Sequence, residues 1–346
     1  MRPSRRSLLI GGGALATTTV AGGFSRALVP RPGPLAGATP IAVTATPIDR
    51  LSAADPDRTR FGALMFRSGL ELRSETWGFG GFSALWRSPD GRNLVAIADH
   101  AHWLRARIET AEGRLAGLSD AVLSPLRLEG GKALALSRFF DTESLAVAGR
   151  TAFVGVERSH DVIRFAWDGK GLLEQGRPVA IPEEVKELSG NGGLEAMGIA
   201  PRRSPLAGAL VAVAERGPGW GWGDAPTRGF ILSGPRQGAF DIVRSGGYEI
   251  SDLAFLPEGE LLLLERRFSY LAGFAIRLRR IARDAVKPGA LVDGAVIFES
   301  DATQQIGNLE GLAVHREGRE TILTLISDDN FNPLQRTLLL EFALVA

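Results

Sequence analysis

The sequence of 346 residues contains no cysteine. This absence excludes disulfide bonds, thiolate metal sites and cysteine nucleophiles. A chain that cannot be cross-linked must draw its stability from a large core. With 45% apolar residues over about 300 positions beyond the N-terminus, it can supply one, because larger domains bury a larger share of their surface.

Long apolar runs are also missing beyond the N-terminus, so the mature chain is predicted to have no stable membrane span. At the N-terminus, Arg5-Arg6 precedes an uncharged, weakly apolar segment from Leu8 to Gly23, which is typical of twin-arginine export. Ala36-Gly37-Ala38 offers a small-x-small cleavage site. We therefore predict a signal peptide at residues 1–38 and a periplasmic or secreted protein; the alternative is an ordinary N-terminal anchor.

A strong charge of one sign is absent as well. Residues 1–38 contain five arginines and no acidic residue, which leaves 35 basic against 39 acidic residues in the remainder, a net charge of −4. No nucleic-acid-binding surface is implied. Residues 39–60, rich in proline and small residues, are predicted to be an extended lead-in, and residues 61–346 to form a single domain.

An internal repeat is the main feature of that domain. Five segments each place a carboxylate or serine before a short apolar run, at Ser83, Glu143, Glu195, Asp252 and Glu310. A turn and a second apolar run follow each, ending at Asp99, Glu157, Glu215, Glu265 and Asp328. Short apolar runs separated by turns are typical of antiparallel strands. We predict an all-β chain, a β-propeller with five or six four-stranded blades; Phe61–Ser74 and Thr337–Ala346 either share a blade or complete a sixth.

The repeat predicts that acidic residues converge. The start of a first strand and the end of the antiparallel second strand lie at the same end of a blade, so the two acidic positions of each repeat should meet at one mouth of the propeller. So many carboxylates would repel one another without a cation. Oxygen ligands without cysteine favour Ca²⁺. The candidate metal ligands are Asp99, Glu143, Glu157, Glu195, Glu215, Asp252, Glu265, Glu310, Asp328 and Asp329.

Two alternatives remain open at this point. Arg158, Arg216 and Arg266 follow three of the acidic residues and could neutralise them within the protein. Repeated acids in propellers also bind backbone N–H groups and fix the turns between blades. Two further features are a histidine pair at His100 and His102, which would share a strand face if the strand continued past Asp99, and a tryptophan-containing loop at 217–224.

These motifs resemble the phytase-like "esterase-like" family. The resemblance is carried by Gly80–Leu85, Ala98-Asp99-His100, Asp141–Leu145, Glu157-Arg158-Ser159, Asn191–Met197 and Ser327–Phe331, and it covers roughly Phe61 to Ala346. It implies an exported propeller related to calcium-dependent phytases, which hydrolyse phosphomonoesters at a calcium-lined mouth.

The expected function is metal-assisted hydrolysis of a small-molecule ester or phosphoester by a monomer, with no separate cofactor-binding residues. Glu195 and Glu143 are the candidate catalytic carboxylates, and Arg158 and Arg216 the candidate catalytic arginines that hold an anionic group. One alternative is a non-catalytic propeller that binds a ligand or partner. The other is a calcium-dependent lactonase-like hydrolase. No serine lies in a G-x-S-x-G context, which excludes the nucleophile elbow.

Overall fold

The computed structural model describes residues 35–169, 171, 175–188, 192–216, 225–271 and 273–345. The predicted twin-arginine segment and the 217–224 loop lie outside these residues. Among the described residues, no helix has the length and apolar character needed to cross a membrane.

Short strands make up nearly all of the regular structure. In chain order they are β1 (Thr39–Pro40), β2 (Thr44–Ile48), β3 (Arg60–Phe61), β4 (Leu64–Arg73), β5 (Phe82–Arg87), β6 (Asn93–Ala98), β7 (His102–Ala111), β8 (Arg114–Pro125), β9 (Thr142–Ala148), β10 (Thr151–Val156), β11 (Asp161–Ala166), β12 (Arg177–Pro178), β13 (Leu194–Ile199), β14 (Leu210–Ala214), β15 (Thr227–Ile231), β16 (Gly238–Ile242), β17 (Glu249–Phe255), β18 (Leu261–Ser269), β19 (Gly273–Ile281), β20 (Leu291–Val292), β21 (Ala295–Glu299), β22 (Asn308–Glu317), β23 (Glu320–Asp328) and β24 (Thr337–Leu344). A 3-10 turn at Leu134–Leu136 and a one-turn helix, α1 (Glu183–Lys186), complete the set.

These strands form five sheets, which are the blades of a five-bladed β-propeller. From the innermost strand outward, blade 1 is β5-β6-β7-β8-β1, blade 2 is β9-β10-β11-β12, blade 3 is β13-β14-β15-β16-β20, blade 4 is β17-β18-β19-β21, and blade 5 is β22-β23-β24-β4-β2. The innermost strands contact one another in a closed ring, from β5 through β9, β13, β17 and β22 back to β5. The predicted propeller is confirmed, with five blades.

The two ends of the predicted domain share one blade. β24 pairs antiparallel with β4, from Thr337 opposite Leu72 to Leu344 opposite Leu64, so the C-terminal strand closes the ring against an N-terminal strand. The predicted lead-in also contributes strands, because β1 extends blade 1 and β2 extends blade 5.

The core lies between the blades. Five clusters of buried apolar side chains occupy the five interfaces between neighbouring blades; Leu264 and Leu325, for example, meet between blades 4 and 5. Because both faces of each sheet are covered in this way, the strands are apolar on both faces. This explains the continuous apolar runs of the sequence.

A β-bulge interrupts the pairing of every innermost strand with its neighbour. One extra residue is inserted near the start of each first strand, at Ser83, Glu143, Glu195, Ser251 and Glu310. Bulges re-aim side chains and often adjoin functional sites. The predicted repeat is therefore correct in four blades and wrong by one residue in blade 4, where Ser251 and not Asp252 occupies the bulge.

Candidate functional site

Five second-strand positions lie beside the bulges, at the same end of the blades. They are occupied by Asp99, Glu157, Glu215, Arg266 and Asp328, which lie opposite Gly81, Asp141, Gly193, Glu249 and Asn308. The register is held by backbone hydrogen bonds, such as Glu157 N–H to the Asp141 carbonyl at 3.0 Å. We call these positions, together with the five bulge residues, the mouth.

Within the part of the chain that the structure describes, one group of acidic side chains is close enough to share a metal ion, and it lies in blade 2. Asp141, Glu143 and Glu157 are all buried, and one carboxylate oxygen of each lies within 4.8 Å of the others. The predicted approach of Glu143 to Glu157 is confirmed. Asp141 was not among the predicted ligands; its position opposite Glu157, where two other blades have glycine, is the signal that would have identified it.

Glu195 extends this acidic group into blade 3. Burial raises the pKa of Glu195 well above its usual range, and the charges of Glu215, Glu143 and Glu157 raise it further, while Arg266 lowers it. Its Oε2 atom is buried and has no hydrogen-bond partner among the described residues. Such an atom costs roughly 1–3 kcal/mol, which favours a ligand or ion at this position.

Arg266 replaces the carboxylate that the other four blades carry at this position. It contacts Glu310, lies 3.1 Å from Glu215 and 3.6 Å from Glu195, and hydrogen-bonds to Asn308 at 3.0 Å. Although burial opposes its charge, these carboxylates raise the pKa of Arg266. A single side chain of blade 4 thus neutralises acids of blades 3 and 5. Neutralisation by arginine was one of the alternatives that the sequence left open.

Arg158 and Arg216, which follow the mouth residues Glu157 and Glu215, differ in how many carboxylates they pair with. Arg216 pairs with both Glu215 and Glu249 at 3.0 Å. Arg158 binds Asp141 through Nε at 2.6 Å and lies over the ring of Phe140 at 5.1 Å. Its side chain is 40% exposed, and Nε is the atom that binds Asp141. Arg158 is therefore a positioned guanidinium that can still accept an anion.

Two of the predicted metal ligands, Asp252 and Glu265, bind groups of the protein away from the mouth. The Asp252 oxygens accept backbone N–H groups of Leu253 at 2.7 Å and Leu312 at 2.6 Å, so this carboxylate joins blade 4 to blade 5. Glu265 forms buried ion pairs with Arg277 and Arg279, at 2.7 and 2.6 Å. The predicted meeting of Asp252 with Glu265 at the mouth is wrong, because the bulge in blade 4 lies one residue earlier than the sequence pattern indicated.

Asp329 likewise fixes the backbone. Its Oδ1 accepts N–H groups of Gly81 and Phe331, at 3.1 and 3.0 Å, and its Oδ2 accepts the Thr337 hydroxyl at 2.9 Å. Asp328 stays at the mouth, opposite Asn308, and its Oδ1 accepts the N–H of Asn330 at 2.6 Å.

The two histidines of blade 1 do not form a pair on one strand face. The strand ends at Ala98, and Ala101 adopts a positive φ of 57°, which turns the chain before β7 begins at His102. His102 is fully buried and its Nε2 accepts the N–H of Leu35 at 3.4 Å, while burial, with the charge of His100, lowers the pKa of His102 to about 4. His100 binds Asp99 through Nδ1.

Fold and site together define a five-bladed β-propeller with a buried acidic group at one end. The chain belongs to the phytase-like family, described as having the esterase-like activity of phytase, which it matches over residues 77–331. The predicted family is confirmed. A search of curated proteins found no match.

A comparison with solved structures also found matches. One is the PQQ-bound aldose sugar dehydrogenase of Streptomyces coelicolor, with 15% identity over 80% of this chain and 97% of that chain and a TM-score of 0.40. Another is an oxidoreductase of Thermus thermophilus described as a glucose dehydrogenase, with 13% identity over 76% of this chain and 97% of that chain and a TM-score of 0.39. Likenesses at this level carry no functional argument.

Proposed function

We propose that this protein is an exported phytase-like esterase that hydrolyses phosphate monoesters or related esters with a bound divalent cation at the mouth. The observation that carries the proposal is the group of three buried carboxylates in blade 2 beside the partly exposed guanidinium of Arg158. A cation held by these carboxylates and the guanidinium of Arg158 would then both contact a phosphate, and both come from blade 2.

The donor set fits Ca²⁺. Ca²⁺ binds oxygen ligands at about 2.3–2.6 Å, so two oxygens on the same ion can be up to about 5 Å apart. The oxygens of Asp141, Glu143 and Glu157 meet this limit. Asp141 immediately precedes β9, Glu157 immediately follows β10, and Glu143 occupies the bulge of β9, so two paired strands position all three.

When bound, a cation there would polarise the ester and lower the pKa of the attacking water. The protein's own residues supply orientation and charge. The terminal nitrogens of Arg158 would hold the anionic group in a bidentate manner, and Asp141 and Phe140 already fix the direction of the guanidinium. Glu195 borders the same space from blade 3 and is the candidate for binding or accepting a proton from water. Arg216 is engaged by two carboxylates, so we assign it to charge balance.

Turnover of p-nitrophenyl phosphate by the purified mature protein tests the proposal. We expect activity that is lost with a chelator and restored by Ca²⁺, and that falls at least about 10²-fold in Glu143→Gln. Arg158→Ala should raise KM with a smaller change in kcat. Arg138→Ala is the matched control, because Arg138 lies over the neighbouring Phe139 and pairs with Asp161.

Undiminished turnover in Glu143→Gln with the metal removed would contradict the proposal. Turnover of a lactone but not of the phosphate would favour a lactonase-like hydrolase. Absence of turnover with every ester, in a protein that still binds Ca²⁺, would favour a binding propeller.

Export by the twin-arginine pathway is part of the same proposal. Cleavage after Ala38 would leave Thr39, the first residue of β1, as the new N-terminus. We expect the mature protein in the periplasmic or secreted fraction and its retention in the cytoplasm after Arg5→Lys with Arg6→Lys. Mature protein outside the cytoplasm in that variant would contradict export by this route.

A further inference from the structure

The hairpin that joins β18 to β19 in blade 4 projects beyond the mouth. Arg266, the strand-end residue of this blade, lies opposite Ile276, and the ladder continues for three more pairs, as far as Ser269 opposite Gly273. At about 3.4 Å per residue, these pairs carry the hairpin roughly 10 Å past Arg266. In blades 1 and 2 the corresponding strands are joined by short turns, at 99–101 and 157–160. The tip of the blade 4 hairpin therefore stands out at the mouth end of the molecule.

The hairpin tip, residues 268–271, carries large apolar side chains that the fold leaves uncovered. Leu271 is fully exposed and Tyr270 is 66% exposed. Phe268, which is 48% exposed, packs against the rings of Tyr270 and Phe274, with centroids 5.5 and 5.0 Å apart. These ring contacts support the tip from within the hairpin. Apolar side chains exposed together in this way mark a surface that meets another protein or a membrane.

Further exposed apolar side chains lie at the same end of the molecule. Among the described residues nine large apolar side chains are exposed, and six of them lie on the hairpin or on connections whose strand ends meet at the mouth. The six are Trp77, Leu136, Phe268, Tyr270, Leu271 and Leu334. The other three lie on the outer strands β4, β20 and β21, at Met65, Leu291 and Val296. Because the six come from four segments around the ring, they fit a broad surface better than one small pocket.

The order of side chains along the hairpin matches the layers of a bilayer surface. Leu271 and Tyr270 stand at the apex, the ring of Phe268 lies below them, and exposed Arg267 follows at the base. The guanidinium of Arg267 lies over the uncharged ring of Tyr248, 4.7 Å from its centroid, so its positive charge is not neutralised there. Aliphatic side chains favour the acyl region, aromatic rings the interface, and arginine the phosphates of anionic headgroups. No acidic residue occurs from 266 to 283 to oppose such a contact.

We propose that the mouth end binds the surface of an anionic lipid bilayer, with the tip of the blade 4 hairpin inserted among the headgroups. The hairpin projects by roughly 10 Å, and interfacial elements bury their apolar side chains about 5–10 Å deep. Exposed acids at this end are Glu183 and Glu184 on α1, between blades 2 and 3, and Glu75 before blade 1. A contact centred on blade 4 keeps these acids away from the lipid phosphates. Binding of this kind is peripheral and needs neither a metal nor ester turnover.

Sedimentation of the mature protein with lipid vesicles tests the proposal. The protein should sediment with mixed phosphatidylglycerol–phosphatidylcholine vesicles and much less with phosphatidylcholine alone, because Arg267 contributes only where the lipid is anionic. The affinity should fall at least about 10-fold in Tyr270→Ser with Leu271→Ser, which removes the inserted apolar area. Leu291→Ser with Val296→Ser is the matched control, since these side chains are also exposed but lie on outer strands, and it should leave the affinity unchanged.

The absence of cysteine from the chain permits a second readout. A single environment-sensitive NBD group is attached in Leu271→Cys, and its emission should rise and shift to shorter wavelength when the anionic vesicles are added. The same label in Leu291→Cys should show no change.

Failure to sediment with the anionic vesicles would overturn the proposal, as would undiminished affinity in the hairpin variant once circular dichroism shows its native fold. Unchanged emission from the label at position 271 would also overturn it. Self-association that is lost in the hairpin variant, without vesicle binding, would assign the hairpin to a second copy of this chain instead. Because none of these readouts depends on a metal or on turnover, their failure is distinguishable from failure of the proposed hydrolysis.

Discussion

At the scale of single residues, Arg266 balances the charge of several acids at the mouth. It is the one cation among the five strand-end residues, and it forms ion pairs with acids of both neighbouring blades. Removing one partner of a buried ion pair leaves the others uncompensated and costs about 3–5 kcal/mol.

We therefore expect Arg266→Ala to lower the free energy of unfolding by about 3–5 kcal/mol, measured by urea denaturation. Adding Glu310→Gln should recover part of the loss, because it removes one of the stranded charges. The control is Arg267→Ala, which removes an exposed neighbour lying over Tyr248 and should cost at most about 1 kcal/mol. Equal costs for the two arginines would contradict the assigned role of Arg266.

Among the structural elements, the bulged first strand and its contact with the next blade set the positions of the site. Gly193 begins this contact in blade 3, where an added Cβ atom would lie 2.2 Å from the Glu157 carbonyl oxygen. Only glycine leaves room for that backbone, which carries one of the three clustered carboxylates.

Gly193→Ala should accordingly destabilise the protein by about 1–3 kcal/mol through overpacking and weaken Ca²⁺ binding at the same time. Thermal melts with and without Ca²⁺ measure both effects. Gly117→Ala, in an outer strand with open space around the Cβ position, is the matched control and should change neither. Native calcium affinity in Gly193→Ala would contradict the proposed site.

The sequence predicted the elements better than their fine register. Apolar runs, turns and a period near 57 residues were sufficient for the propeller, because each blade repeats the same burial pattern. The bulge was not predictable in blade 4, where Ser251 and Asp252 are both polar and either satisfies the pattern. Placing Asp252 at the bulge made Glu265 the expected strand-end residue of blade 4, whereas that position is occupied by Arg266. Only strand pairing distinguishes the two registers, since one residue of slip exchanges the faces of a strand.

In the whole molecule, closure of the ring depends on contacts between sequence ends. Beyond the β24–β4 ladder, Arg87 of blade 1 reaches Glu341 of blade 5 at 2.5 Å and the Thr324 hydroxyl at 2.6 Å, all buried. This buried pair joins the first complete blade to the C-terminal strand.

Glu341→Ala should lower the free energy of unfolding by about 3–5 kcal/mol, because it leaves Arg87 buried without its partner. Denaturant unfolding followed by fluorescence gives this value. Glu317→Ala provides the comparison, since Glu317 pairs with Arg67 at an exposed site and should contribute less than about 1 kcal/mol. A small effect of Glu341→Ala would show that the strand ladder alone closes the ring.

The central claim is that the three carboxylates of blade 2 hold a cation, and calcium binding by the metal-stripped mature protein tests it most directly. Isothermal titration should show one Ca²⁺ per chain in the wild type, and affinity at least about 10-fold weaker in Glu143→Gln, which removes a ligand charge. Glu265→Gln is unsuitable as a control because Glu265 is buried between two arginines, so exposed Glu183→Gln is used. No calcium binding, or binding unchanged in Glu143→Gln, would contradict the account.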